Sequence, residues 1–242
     1  MLKPREKLTS VLIQYIVEVD FSYTAFAGPF PRLPVSIINL IAESAFFDSL
    51  DNSQFVGCND LTYIEFGRLS FDNPLPTLWK DLGVTFIYVN ECGITGSLDN
   101  LADPSGTYKP IEIWIDRNND MTGTIPKELG HTQVASYSFT ENNLSGTIPT
   151  EFGKMIDLQY LWLYGNSLTG TIPTELAMMV RTQFFRVEEN SFSGTMPTEI
   201  CTFRASFGGK FTLVGADSDL CLSSPSCCDC DNISDCDTLQ SA

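Results

Sequence analysis

The sequence is poor in histidine and in basic residues. Its only histidine is His131, and 14 lysines and arginines face 30 aspartates and glutamates, giving a formal net charge of −16. Catalytic triads and multi-histidine metal centres place histidine beside other reactive groups, so a lone histidine argues against both. An acidic surface repels a phosphate backbone, so nucleic acid is not an expected partner. We expect no catalytic residue, no metal site and no cofactor.

The sequence also lacks long apolar runs. No segment reaches the ~18 consecutive apolar residues of a membrane helix, so direct membrane insertion is not expected. Three basic residues precede a short apolar run at 11–13, as in a signal peptide. Polar residues at 14, 18 and 20 interrupt that run and no clean cleavage site follows, so a signal peptide is not evident.

Cysteine is concentrated at the end of the sequence. Five of the eight cysteines fall within residues 221–242. This density is typical of disulfides in an oxidising compartment and predicts a secreted, extracellular protein. A zinc site is the alternative, but the clustered spacing differs from the paired C-x2-C elements that zinc prefers. The cysteines predicted to form disulfides, with pairing left open, are Cys201, Cys221, Cys227, Cys228, Cys230 and Cys236.

A motif recurs through residues 118–200. Gly-Thr-Ile-Pro, or Gly-Thr-Met-Pro in its last copy, begins at Gly123, Gly146, Gly170 and Gly194. An asparagine precedes each copy, and these asparagines are spaced 24 residues apart. They are Asn118, Asn142, Asn166 and Asn190. A fixed interval of this length predicts a solenoid of stacked turns.

Alternating apolar pairs precede the asparagines and predict short strands with one buried face. The pairs are Ile64/Phe66, Ile87/Val89, Ile113/Ile115, Tyr137/Phe139, Leu161/Leu163 and Phe185/Val187. They give about six repeats, and a degenerate seventh is expected around Ile38 and Leu40. The predicted organisation is a non-repeat N-terminal segment and partial cap at 1–57, repeats at 58–205, and a cysteine-rich C-terminal cap at 206–242.

The pattern L-x-L-x-x-N-x-L-x-G-x-I-P, clearest in the last four copies, resembles the plant-type leucine-rich repeat. Receptor ectodomains and polygalacturonase-inhibiting proteins share this repeat, and small secreted microalgal proteins are similar. The resemblance implies an α/β solenoid: a right-handed superhelix with a concave parallel β-sheet and convex short helical or 3₁₀ turns. The family's N-terminal cap has paired cysteines, whereas here Cys58 has no partner nearby.

The asparagines are predicted to form a structural ladder inside the solenoid. After each strand the chain turns inward and leaves backbone groups without sheet partners, and an amide can both donate to and accept from them. Cys92 occupies the same position in an earlier repeat and could donate weakly through its thiol. We therefore expect Cys92 to have a structural role.

The concave face is the predicted ligand-binding surface. Residues between the inward pairs point out of the sheet, and they include large aromatics with polar ends, a class that dominates interface energetics. The alternative is that these aromatics only reflect β-propensity. The candidate binding residues are Tyr88, Glu112, Trp114, Asp116, Tyr160, Trp162, Tyr164, Arg186 and Glu188.

The expected function is non-enzymatic recognition of a protein, peptide or glycan in extracellular defence, adhesion or signalling. A membrane receptor, for which this protein would act as a co-receptor, is a further expected partner. Inhibition of a secreted cell-wall hydrolase and a structural role in a wall or matrix are the alternatives. Acceptor sequons predict glycosylation at Asn143 and Asn232. The concave acids Asp116 and Glu188 are predicted to lie roughly 14 Å apart, three strands at ~4.8 Å each, too far for a glycosidase pair.

Overall fold

The computed structural model describes residues 17–25, 27–131, 133–200, 213–216 and 220. All six cysteines predicted to form disulfides lie outside these residues, as does the second glycosylation site, Asn232.

The described chain is built mainly from short parallel strands. In chain order they are β1 (Glu18–Asp20), β2 (Ala27–Pro29), β3 (Asn39–Glu43), β4 (Phe46–Ser49), β5 (Tyr63–Gly67), β6 (Phe86–Asn90), β7 (Glu112–Asp116), β8 (Ser136–Ser138), β9 (Ser145–Gly146), β10 (Tyr160–Trp162), β11 (Ser167–Gly170), β12 (Phe184–Arg186), β13 (Ser191–Phe192) and β14 (Leu213–Gly215). Nine of them form one sheet in the order β1-β3-β5-β6-β7-β8-β10-β12-β14. Every pairing in this sheet is parallel, as the predicted solenoid requires.

Short helical turns and two smaller sheets form the rest of each coil. One α-helix, α1, covers Leu78–Leu82, and 3₁₀ helices cover Asn52–Phe55, Leu98–Leu101, Lys127–His131, Thr150–Lys154 and Thr174–Met178. Strands β9, β11 and β13 form a second parallel sheet, and β2 pairs with β4. The predicted fold class is therefore confirmed. No helix in the described part of the chain is long and apolar enough to cross a membrane.

The sheet also extends into the N-terminal segment, where no clear repeat was expected. Strand β3 pairs with β5 at the position of the degenerate seventh repeat, and Leu40 and Ala42 are its inward residues. Strand β1 pairs with β3 and adds one more coil, in which Val19 packs against the core. The concave face is thus longer at this end than the six clear repeats indicate.

The core consists of the predicted apolar positions stacked from turn to turn. All six inward pairs are at most 1% exposed. Leu168 is fully buried and Ile172 is 2% exposed, so the apolar side chains that follow the strand in this coil also pack into the core. One coil cannot bury these side chains alone, because its only apolar neighbours lie in the coils before and after it.

Inward amides connect neighbouring coils, as predicted. The Oδ1 of Asn118 accepts from the backbone N–H groups of Cys92 and Ile94 at 3.0 and 3.1 Å, and its Nδ2 donates to the carbonyls of Val89 and Asp116. The other three asparagines bond to backbone groups in the same manner. The ladder therefore runs from side-chain amide to backbone rather than from amide to amide.

Cys92 takes the amide position in its own coil and is a free, fully buried thiol. Its Sγ donates to the carbonyl of Asn90 at 3.2 Å. Burial raises the pKa of this thiol to about 12, so it keeps its proton and acts as a donor. Its contacts agree with the structural role predicted from the sequence.

The residue just before each ladder position, the position of the inward asparagines and Cys92, has a left-handed backbone. The backbone angle φ lies between 50° and 55° at Arg68, Glu91, Arg117, Glu141 and Glu189. Glycine, which accepts this region without strain, occurs at the equivalent place only as Gly165. The corner between strand and ladder is thus imposed by the fold on residues that do not prefer it.

The threonines that begin two of the convex turns do not cap them. The 3₁₀ helices at Thr150 and Thr174 are preceded by Pro149 and Pro173 as N-cap residues, with no side-chain capping bond. The Thr150 hydroxyl instead lies 3.4 Å from the carboxylate of Glu151. Proline cannot supply a capping oxygen, so these turns are held by packing against neighbouring coils.

We expect Asn118→Ala to lower the free energy of unfolding by at least ~2 kcal/mol, because buried backbone groups left without partners cost ~1–3 kcal/mol each. Urea denaturation followed by circular dichroism measures this loss. The matched control is Asn119→Ala, since Asn119 is adjacent but exposed. Equal stability of the two variants would contradict the ladder's structural role.

Candidate ligand-binding face

The register of the sheet places the predicted concave residues in columns. The first column is Tyr63, Phe86, Glu112, Ser136, Tyr160 and Phe184. The second column is Glu65, Tyr88, Trp114, Ser138, Trp162 and Arg186. Both columns match the order predicted from the repeat. In the third column, Gly67, Asn90 and Asp116 are paired in register.

Aromatic rings form a continuous track across the strands. The ring centroids of Tyr63 and Tyr88 are 5.5 Å apart, and those of Tyr88 and Trp114 are 5.4 Å apart. Trp162 continues the track with Tyr160 at 5.9 Å, and the Tyr160 ring stacks on Phe184 at 5.1 Å. These separations are favourable for ring pairs, so the rings hold one another in place.

The two tryptophans meet across an intervening strand. Trp114 on β7 and Trp162 on β10 have centroids 5.9 Å apart, although β8 separates their strands. The β8 positions between them are Ser136 and Ser138, which are 2% and 0% exposed because the indoles close over them. The Trp114 Nε1 also donates to Ser136 Oγ at 2.7 Å. Because the β8 side chains are small, the part of the track from Tyr63 to Trp114 contacts the part from Trp162 to Phe184.

Tyrosine hydroxyls bind neighbouring carboxylates on this face. Tyr63 donates to Glu65 at 2.6 Å, and Tyr88 donates to Glu112 at 2.8 Å. Burial, with the nearby carboxylate, raises the pKa of Tyr63 to about 12 and also raises that of Tyr88. Both phenols therefore remain donors and fix the orientation of the acids.

Asp116 is the most enclosed acid of this part of the face. Its Oδ1 accepts from Ser138 Oγ at 2.7 Å and from the backbone N–H of Thr140 at 2.8 Å. Burial raises the pKa of Asp116, while these hydrogen bonds act in the opposite direction. The side chain therefore combines a fixed position with an unfavourable environment for its charge.

Arg186 and Glu188 were predicted as exposed binding residues, and the structure instead buries both. Their exposed fractions are 6% and 2%, and they form an ion pair with each other. The Arg186 guanidinium also lies 4.0 Å above the ring of Tyr164. This end of the face satisfies its own charges, because an arginine and a glutamate two residues apart reach each other. The remaining candidates are partly exposed: Tyr88, Glu112, Trp114, Asp116, Tyr160, Trp162 and Tyr164.

The candidate binding residues omit several members of the face. Tyr63 and Phe184 extend the aromatic track, and Glu65 and Glu43 add carboxylates beside it. Tyr63, Phe184 and Glu65 stand in the predicted columns, so the signal was their alignment with Tyr88 and Trp114. Glu43 lies on β3, whose repeat pattern is degenerate.

Asn143, the first predicted glycosylation site, is exposed beside the sheet formed by β9 and β11. Its Oδ1 accepts from Ser167 Oγ at 3.2 Å. Exposure is compatible with glycan attachment, which stays a prediction.

We expect Asp116→Asn to stabilise the protein at neutral pH. The folded-state pKa of Asp116 is raised, so the folded chain binds a proton more readily than the unfolded chain, and stability falls as pH rises through that pKa. Asparagine removes this penalty and still offers Oδ1 to Ser138 and Thr140. Denaturation midpoints should show a gain at neutral pH that shrinks in acid.

The matched control for this prediction is Asp120→Asn, which neutralises an exposed carboxylate on the same coil. A stabilisation by Asp116→Asn that persists unchanged in acid would contradict the assigned cause, since the charge would then not be responsible.

Comparisons with known proteins agree with this architecture. The family model described as Leucine Rich Repeat matches residues 157–179, which is one repeat. The search of curated proteins found no relative. Among solved structures, the ectodomain of the Arabidopsis thaliana receptor kinase GASSHO1/SCHENGEN3, in complex with CASPARIAN STRIP INTEGRITY FACTOR 2, is 24% identical over 78% of this chain, with a TM-score of 0.69.

Two further structures share the fold. The plant peptide hormone receptor RGFR1, in complex with RGF2, is 21% identical over 76% of this chain, with a TM-score of 0.65. A plant ice-binding protein is 21% identical over 76% of this chain and 67% of its own, with a TM-score of 0.57. The chain spans 23% of the GASSHO1 ectodomain structure and 30% of the RGFR1 one. The repeat and the sheet together identify the fold of the described chain as a leucine-rich-repeat solenoid, the fold that these plant proteins also have.

Proposed function

We propose that the concave face recognises an extracellular peptide or protein ligand and catalyses no reaction. The observation that carries this proposal is the aromatic track from Tyr63 to Phe184, fixed by ring contacts and partly exposed. Aromatic side chains supply a large contact area with little loss of conformational entropy, which suits binding rather than simple solvation. Two receptors with the same fold were solved in complexes, GASSHO1/SCHENGEN3 with CASPARIAN STRIP INTEGRITY FACTOR 2 and the peptide hormone receptor RGFR1 with RGF2.

Asp116 and Glu188 are not placed as a hydrolytic pair. Asp116 on β7 and Glu188 just after β12 belong to coils three strands apart in the sheet. At ~4.8 Å per strand this is roughly 14 Å, beyond the ~5–9.5 Å of glycosidase pairs. Glu188 is also held in its ion pair with Arg186. The arrangement favours a recognition surface.

Inhibition of a secreted hydrolase and a matrix role remain alternatives to ligand recognition. An inhibitor would use the same face against a folded enzyme, and would lower hydrolase activity in a mixing assay. A matrix protein would resist extraction from the wall without covalent cleavage. Neither alternative requires a short peptide to bind the concave face.

We expect the double variant Trp114→Ala/Trp162→Ala to weaken ligand binding about tenfold or more, ~1.4 kcal/mol, because it removes the centre of the track. Peptides selected from a displayed random library against the wild-type chain provide the ligands, and calorimetry gives their affinities. Melting temperatures of both proteins show whether the fold is retained.

The control for this experiment is Phe46→Ala, which removes an aromatic ring that is 68% exposed on β4, outside the concave sheet. Peptides that bind the double variant as tightly as the wild type would refute the concave site.

We propose ice binding as a second candidate function, on a different face. Beside the β9-β11-β13 sheet, exposed hydroxyls repeat from coil to coil in two columns flanking the turn glycines. The columns are Thr122, Ser145, Thr169 and Ser193, and Thr124, Thr147, Thr171 and Thr195. Neighbouring coils lie ~4.8 Å apart, a spacing close to that of equivalent oxygens in ice. The structural neighbour described as a plant ice-binding protein adds support.

The hydroxyl columns are held in place by the turns beneath them. The Oγ atoms of Ser145 and Ser193 each donate to a carbonyl of the preceding coil at 3.1 Å. The Thr147 methyl packs over Gly170, where an added Cβ would lie 2.7 Å from it. Hydroxyls and methyls that are held in place and recur at equivalent repeat positions are suited to ordering water.

We expect the wild-type chain to inhibit ice recrystallisation and Thr171→Lys to abolish that inhibition, because a long charged side chain would interrupt the flat array. Growth of ice grains in a frozen sucrose solution is the measurement. Trp162→Ala serves as the control that leaves this face intact. A wild-type chain without effect on grain growth would exclude the candidate.

A further inference from the structure

A groove opens in the concave face between β3 and β7. Its volume is about 410 Å³. The residues that give it chemical character are Glu43, Tyr63, Glu65, Tyr88, Trp114 and Asp116. It therefore combines three aromatic walls with three carboxylates in one depression.

The aromatic walls of the groove are rigid. Tyr63 and Tyr88 contact each other at a tilt of 55°, and the edge of Trp114 meets Tyr88 at 87°. The tyrosine hydroxyls are already used, since they donate to Glu65 and Glu112. A ligand group entering the groove would meet the ring surfaces and the outer carboxylate oxygens rather than free hydroxyls.

Two of the three groove acids, Glu65 and Asp116, form no ion pair within the described residues. Within the described residues, no lysine, arginine or histidine forms an ion pair with Glu65, Glu112 or Asp116, whereas Glu43 pairs with Arg68. The outward strand positions from β1 to β10 also contain no basic residue. The local potential is therefore negative, in a chain whose net charge is −16.

At the opposite end of the same face, a carboxylate next to an aromatic ring is paired with an arginine. There Arg186 lies 4.0 Å above the ring of Tyr164 and pairs with Glu188. An aromatic ring and a carboxylate together hold a guanidinium by cation–π attraction and charge. The groove between β3 and β7 presents both of these components, and no arginine of the described residues lies over its aromatic rings.

We propose that this groove binds an arginine side chain of the peptide ligand. This inference rests on the concave face being the binding surface, as proposed above. Arginine fits better than lysine because its planar guanidinium can stack on one of the two rings, Tyr88 or Trp114, and still donate in its plane to Glu65 or Asp116. The acidic chain attracts such a peptide over a longer range and accelerates its encounter with the groove.

Two synthetic peptides test the proposal on the full chain. One is acetylated Gly-Arg-Gly-Arg-Gly amide, and the other carries citrulline, a neutral isostere, in place of each arginine. Calorimetry at low ionic strength should show binding of the arginine peptide and at least tenfold weaker binding of the citrulline peptide. Equal affinities would overturn the proposal without any protein variant.

A pair of double variants then locates the site. Glu65→Gln/Glu112→Gln removes one charge from the groove lining and one from the carboxylate that binds the Tyr88 hydroxyl beside it. The variant keeps the side-chain shape and should weaken binding of the arginine peptide at least tenfold. Glu151→Gln/Glu175→Gln removes two charges from the convex 3₁₀ turns and should change affinity less than twofold. An equal loss in both variants would mean general attraction to an acidic chain and would overturn the site.

The outcome is distinguishable from failure of the proposed function. Library peptides that require Trp114 and Trp162 but contain no basic residue would overturn the arginine site and leave concave recognition standing. If no library peptide depends on the two tryptophans, both proposals fail. If the groove variant does not fold, as near-ultraviolet circular dichroism would show, the citrulline comparison on the wild-type chain still decides.

Discussion

The structure depends on hydrogen bonds that cross from one coil to the next through an inward amide. A solenoid turn leaves backbone groups unpaired where the chain departs from the sheet, and burial makes such groups costly. Asn118 satisfies two N–H groups of the preceding coil and two carbonyls at once. Because the four coils with such an asparagine are joined to their neighbours in this manner, their strands stay in register, and that register aligns the concave side chains into columns.

The fold and most of the concave face could be predicted because the repeat fixes position. Once Asn142 and Asn166 are 24 residues apart, the inward leucines and outward aromatics follow by counting, and the strand register agrees with that count. The coil containing β1 could not be found in the same way. It has Val19 as its inward residue and no asparagine, and the sheet extends to it because an edge strand gains partners by pairing.

What could not be predicted involves contacts between side chains on different coils or two residues apart. Counting places Arg186 and Glu188 on the face but does not say that they pair and become buried. Nor does it give the left-handed corner at Glu141, since glycine occupies that place only at Gly165. These features are set by three-dimensional geometry, which composition and spacing do not contain.

The serines of β8 have a consequence for how such a face can change. Trp114 and Trp162 touch only because Ser138 between them is small and covered. A bulkier residue at position 138 would separate the two indoles and divide one aromatic surface into two. A substitution at this covered position can thus change ligand selectivity, although the ligand itself would not contact the substituted side chain.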